Sequence, residues 1–133
     1  MDLTLSPGIL DQVIQEAKSV YPREACGLLV GQATADRFIP MANISASAQE
    51  YEMDPVELIR ELRQLRETGE SLIAIFHSHP HGPAEPSQTD IRRAYYPEAA
   101  HLIISLAELE RPQAAAFRII DGKALAIELR AIV

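Results

Sequence analysis

The sequence predicts an α/β protein, a mixed sheet with helices packed on its faces. Three observations carry that prediction. Two segments with helical apolar spacing open on proline-marked starts, Ser6-Pro7 and Asp54-Pro55. Short apolar runs between and after them read as strands. The pair Asp121-Gly122 separates the last two runs and is a hairpin turn signal. The resulting order, β-α-β-β-α-β-α-β-β-β, gives a mixed sheet with helices packed on its faces. A length of 133 residues suffices for one hydrophobic core, so residues 1–133 are expected to form a single domain.

Each element has its own signal. Ser6 is read as an N-cap with proline in the first turn. Ile9, Leu10, Val13, Ile14, Ala17 and Val20 then recur at helical spacing up to Tyr21-Pro22. Residues 24–31 hold the apolar run Cys26-Gly27-Leu28-Leu29-Val30 and read as a strand closed by glycine; a weaker strand covers about residues 37–43. Asp54 caps the second helix, with Pro55 in its first turn and Glu57 three residues after the cap. Leu58, Ile59, Leu62 and Leu65 form its apolar stripe, and Gly69 stops it. Residues 71–76 read as a buried strand running into His77-Ser78-His79-Pro80. Pro80, Pro83 and Pro86 stiffen the loop that follows, and Ser87 with Asp90 marks another helix start. Residues 101–106, 115–120 and 124–132 read as strands.

Composition excludes several classes. Apolar residues are 47% and charged residues 23%, so the chain can bury a core and is not of the disordered type. The net charge of −7 excludes a basic nucleic-acid binder. Cys26 is the single cysteine, which excludes an intrachain disulfide and a thiolate-rich zinc site. The longest apolar run, Leu72 to Phe76, falls far short of the roughly 20 residues of a membrane helix. The start Met1-Asp2-Leu3-Thr4 has neither a basic nor a long apolar region, so a cytoplasmic protein is expected.

The chemistry concentrates in residues 77–90. Side chains alternate along a strand, so His77 and His79 point the same way with Cα atoms about 6.6 Å apart. Two imidazoles so placed can converge on one metal at about 2.0 Å each. Asp90 follows a stiff loop that can fold back over the strand end. Two neutral histidines and a carboxylate leave a fourth tetrahedral position open, as in catalytic zinc sites. Taken alone, the His-x-His pair also fits two partly buried histidines at a strand end.

Glu24, His77-Ser78-His79-Pro80 and Ser87-x-x-Asp90 together resemble the JAMM motif of the MPN-plus (Mov34/MPN/PAD-1) metalloprotease family. Residues 80–89 are the ten that separate the second histidine from the aspartate in that pattern, and Ser87 is three before Asp90. The segment from Pro22 to Gly31 resembles the family's glutamate-bearing lead-in to a strand, so the likeness covers nearly the whole chain. It implies a three-layer α/β/α domain of cytidine-deaminase-like MPN architecture, of the minimal bacterial or archaeal type. It implies that His77, His79 and Asp90 bind Zn²⁺, that Glu24 is the general acid/base, and that Ser87 stabilises the oxyanion. It further implies hydrolysis of an amide at the C-terminal Gly-Gly of a ubiquitin-like or sulfur-carrier protein, with no nucleic-acid or membrane partner.

The residues themselves leave alternatives. Ser87 and Asp90 also make a capping box. An Asp90 that binds metal is not expected to cap as well, which favours the catalytic role of Ser87. Glu24 alone reads as a solvated carboxylate; the motif overturns that. His81 is a loop residue interrupted by Pro80, His101 a structural histidine, and Cys26 buried and inert packing. Arg92, Arg93, Tyr95 and Tyr96 are helix-surface or packing residues that border a cleft if one exists. Two rival functions stand beside the peptidase. A non-catalytic MPN scaffold would lack motif ligands, which this chain keeps. A non-haem iron oxygenase also uses two histidines and a carboxylate, but on all-β strands.

Overall fold

The computed structural model describes residues 2–133; Met1 of the expected domain lies outside them. Ten elements follow in order: β1 (Asp2–Leu5), α1 (Ile9–Ser19), β2 (Cys26–Gly31), β3 (Arg37–Met41), α2 (Pro55–Thr68), β4 (Ser71–His79), α3 (Gln88–Arg92), β5 (Ala100–Ser105), β6 (Gln113–Ile120) and β7 (Lys123–Ala131). The described strands make one mixed sheet in the order β1-β7-β6-β5-β4-β2-β3. β4 pairs with β5 in parallel, and so does β1 with β7; the other ladders are antiparallel. The sheet curls on itself. Leu5, on one edge strand, bridges to Ala35, just ahead of the other.

Strand alternation divides the core in two. Leu29, Ala74, Phe76, Leu102 and Ile104 point to one face, where Ile9, Val13 and Ala17 of α1 pack. Cys26, Leu28, Val30 and Ile75 point to the other, where Leu65 of α2 packs with Met41 and Met53. Helices on both faces fulfil the expected layering. At Gly31 an added Cβ would lie 1.9 Å from the Thr34 carbonyl oxygen, so the tight β2–β3 connection needs glycine there.

One cap differs from expectation. Ser6 does not cap α1: Gly8 holds that position at φ 86°, with no side-chain cap. The Ser6 hydroxyl instead donates to Asp36, thirty residues away and invisible to local pattern. The second helix starts as expected, with Asp54 accepting from Val56 N at 2.8 Å and Gly69 closing it at φ 78°. Asp121 (φ 53°) and Gly122 (φ 74°) form the two-residue hairpin turn between β6 and β7.

Candidate metal centre

β4 carries His77 and His79 on the face shared with Ile75, because both have its parity along the strand. The fold then explains how Glu24 arrives. β2 runs antiparallel to β4 with Cys26 opposite His77. The pairing continues one step beyond the ladder, since Ser78 N donates to the Ala25 carbonyl at 3.0 Å and Ala25 N to Ser78 Oγ at 2.8 Å. Glu24 therefore comes level with His79, on the same face as Cys26 and both histidines. Its carboxylate and the two imidazoles have nitrogen and oxygen atoms within 4.8 Å of one another.

Asp90 closes the group from α3. Its Oδ2 lies 3.1 Å from His77 Nε2 and 3.1 Å from His79 Nε2, and the two Nε2 atoms are 3.0 Å apart. The chemistry of these atoms tests whether a cation fits. His79 Nδ1 lies 2.8 Å from the Pro83 carbonyl oxygen. A carbonyl only accepts, so Nδ1 carries the proton and Nε2 presents a lone pair. In the neutral ring a lone pair and a carboxylate oxygen then face each other at 3.1 Å and need a positive charge between them, either a second proton on the ring or a metal cation. Tetrahedral zinc with bonds of about 2.0 Å spaces its ligand atoms about 3.3 Å apart, close to the observed triangle. Glu24 Oε1 and His77 Nδ1 are also buried without a hydrogen-bond partner, an expensive condition for a carboxylate unless charge or water faces it. The residues fit a zinc ion.

Electrostatics separate the two carboxyl groups. Burial pushes Glu24 up from 4.5 to about 7, with His79 pulling down and Asp90 and Glu50 adding to the rise. Burial also acts upward on Asp90, but hydrogen bonds from His77 and His79 hold it well below the carboxylate range. Burial lowers His77. For His79 the same effect is outweighed by hydrogen bonds to Asp90 and Pro83, and its proton affinity rises. One carboxyl is thus kept ionised against the imidazoles, while its neighbour can hold or release a proton near neutrality.

Ser87 and Asp90 contradict the expected choice between two roles. Ser87 Oγ accepts from Asp90 N at 3.0 Å, and Ser87 N donates to Asp90 Oδ2 at 2.8 Å, a complete capping box. The same Oδ2 faces both imidazoles. An ionised carboxylate oxygen has lone pairs enough for both tasks, and a hydroxyl that accepts at a cap still has its proton to donate. The opposition between capping and site chemistry therefore falls.

Tyr51 was not legible from sequence. It stacks on His77, with ring centroids 4.7 Å apart and planes at 22°, from an irregular segment with no periodic signal. Beside Asp90 lies a cavity of about 430 Å³ walled by Tyr51, Met53, Leu58, Tyr95, Tyr96 and His101, with the Glu50–Arg93 ion pair (3.0 Å) at its side. Arg93, Tyr95 and Tyr96 thus border a cleft; Arg92 instead donates to Thr89. His81 packs edge-on against Tyr21. Burial lowers His101 to about 4 and pushes Cys26 up to about 12, so that thiol stays protonated and inert as expected.

The family model of prokaryotic homologs of the JAB domain matches residues 6–120. The chain belongs to the prokaryotic JAB (MPN) family. It is 32% identical over 123 residues to a CysO-cysteine peptidase of Mycobacterium tuberculosis, covering 90% of this chain and 84% of that one. It is 32% identical over 111 residues to a desampylase of Haloferax volcanii, covering 77% and 80%. The solution structure of a Desulfitobacterium hafniense protein superimposes with a TM-score of 0.88 at 34% identity, over 99% of this chain and 93% of that one. Among the described residues no helix is long and apolar enough to cross a membrane.

Proposed function

We propose that this JAB domain, residues 1–133, is a zinc peptidase that hydrolyses an amide bond at the C-terminal Gly-Gly of a ubiquitin-like or sulfur-carrier protein. One observation carries the reading: two imidazole nitrogens and a carboxylate oxygen converge at 3.0–3.1 Å beside a buried carboxylate with no hydrogen-bond partner at Oε1. The names of the relatives, a peptidase and a desampylase, support hydrolysis rather than mere binding.

His77, His79 and Asp90 would hold the ion. Zinc bound there supplies a Lewis acid and lowers the pKa of a coordinated water from 15.7 to about 7. The remaining work belongs to the chain. Glu24, buried beside the imidazoles and outside the proposed ligand set, takes the proton from the attacking water at its carboxylate and delivers it to the leaving amine. Ser87 keeps its cap and turns its hydroxyl proton to the carbonyl oxygen as charge develops there. The Pro83 carbonyl fixes the His79 tautomer, and Tyr51 shields the His77 ring from water. The cavity beside Asp90 gives an extended tail room to lie, and glycine passes next to the reacting carbonyl without a side chain to clash.

The test is a Gly-Gly-ending ubiquitin-like protein extended by one amino acid, with products read by mass spectrometry. Wild-type protein should release that amino acid. Glu24→Gln should bind zinc normally and lose turnover. Near-wild-type hydrolysis by a folded, zinc-loaded Glu24→Gln protein would sink the mechanism.

A further inference from the structure

Asn43 lies just beyond β3 and spends its whole side-chain amide on backbone. Its Nδ2 donates to the Glu24 carbonyl at 3.0 Å and to the Glu50 carbonyl at 3.2 Å. Its Oδ1 accepts from Ser45 N and Glu52 N, each at 3.0 Å. Two donors and two acceptors are the working capacity of an asparagine side chain, so this amide is saturated. All four bonds reach the lead-in to β2 or the 44–52 segment.

Those two stretches carry groups that meet at the centre. Glu24 is nearly fully buried, yet its Oε1 has no hydrogen-bond partner. No hydrogen bond at Oε1 aims this carboxylate, so its placing leans on the packing and backbone around Glu24, and Asn43 holds the backbone carbonyl. The 44–52 segment brings Tyr51 onto His77 and Glu50 to Arg93. Its two arms are joined by Ile44 N to the Glu52 carbonyl at 2.9 Å, and the Arg23 guanidinium ties it again by donating to the Ser45 carbonyl. Among the described residues, Asn43 is the one side chain bonded both to the backbone of Glu24 and to both arms of the segment.

We propose that Asn43 is a positioning residue for Glu24, acting through the backbone carbonyl it holds and through the loop it closes over His77. This role rests on Glu24 being the proton carrier proposed above. A substitution that removes the Nδ2 donors and keeps the Oδ1 acceptor should then slow the chemical step without loosening substrate or metal.

Asn43→Asp is that substitution: it keeps an acceptor for Ser45 N and Glu52 N but sets a carboxylate oxygen against the carbonyls of Glu24 and Glu50. Ser47→Ala is the control, since Ser47 Oγ accepts from Gln49 N within the same loop. The readouts are zinc stoichiometry, melting temperature, and kcat and KM per folded, zinc-loaded molecule. Amide hydrogen exchange at Ser45 and Glu52 reports the loop independently of activity. Asn43→Asp should lower kcat at least about tenfold, change KM less than about twofold and keep full zinc, while Ser47→Ala matches wild type. Asn43→Ala should additionally speed exchange at Ser45 and Glu52 at least about tenfold; if it does not fold, Asn43→Asp still decides. A wild-type kcat in zinc-loaded Asn43→Asp overturns the role and leaves the peptidase reading intact. A wild-type protein that hydrolyses no Gly-Gly conjugate overturns the peptidase reading and this role with it.

Discussion

Replacing Glu24 by glutamine should change how the metal-free protein responds to pH. Glu24 is 6% exposed, and burial, partly offset by His79 and reinforced by Asp90 and Glu50, moves its carboxyl from 4.5 to about 7. In the unfolded chain it titrates at its ordinary value. Between that value and about 7 the folded protein therefore binds more protons than the unfolded one. Stability falls as pH rises through this window. The contribution is on the order of 3 kcal/mol, at about 1.4 kcal/mol per pH unit. Glutamine has nearly the same shape and no charge, so it escapes that cost. With roughly 3–4 °C of melting temperature per kcal/mol in a chain of this size, the gap should widen by up to about 10 °C between pH 4 and pH 8, in favour of Glu24→Gln. The assay is thermal melting of both proteins in chelator across that range. Added zinc should shrink the gap, because a cation beside the carboxylate favours its ionised form. A gap that stays constant from pH 4 to pH 8 would refute the buried, proton-holding Glu24.

His77→Ala and Asp90→Ala should each lower zinc content and hydrolysis together, as measured by metal analysis and product formation, because each removes one of three proposed protein ligands. Ser87→Ala should cost about 1 kcal/mol of stability through the lost cap and lower kcat by about 10² to 10³ through the lost oxyanion donor. A reduced melting temperature with intact kcat would leave only the cap. Changing the last glycine of the substrate tail to valine should cut kcat/KM at least about tenfold, roughly 1.4 kcal/mol of transition-state binding. Indifference to that valine would remove the proposed role of the narrow approach to the carbonyl.

The site was legible where its logic is local. His77 and His79 share a face because strands alternate, and Asp90 follows a short stiff loop that can fold back over them, so spacing allowed the three to meet and the motif resemblance joined them. Glu24 needed the motif, because its approach depends on the register between β2 and β4, which no residue announces. Asn43 and Tyr51 were silent for another reason. They lie in or beside an irregular stretch between β3 and α2, where neither a period of two nor one of 3.6 exists to read. Fold class and order of elements followed from turn residues, caps and apolar spacing. Ser6 was misread because its partner, Asp36, is distant in sequence, and a hydroxyl before proline looks the same whether it caps a helix or not. The curl of the sheet was equally hidden, since it depends on Leu5 meeting Ala35.

The pairing of β1 with β7 has a consequence for how the chain is made. Of the seven strands of this sheet, β1 is made before the others and finds its neighbour only when β7 has been synthesised, with Leu5 opposite Ala131. Until then Leu3 and Leu5 would trail as an apolar flap. The bridge from Leu5 to Ala35 offers an earlier berth. It closes a loop of 30 residues instead of 126, saving about 1.3 kcal/mol of closure entropy. The nascent β1 can dock against the β2–β3 turn while the strands that bear Glu24 and the histidines are still forming. The arrival of β7 then seals β1 against its partner and completes the sheet between β1 and β6.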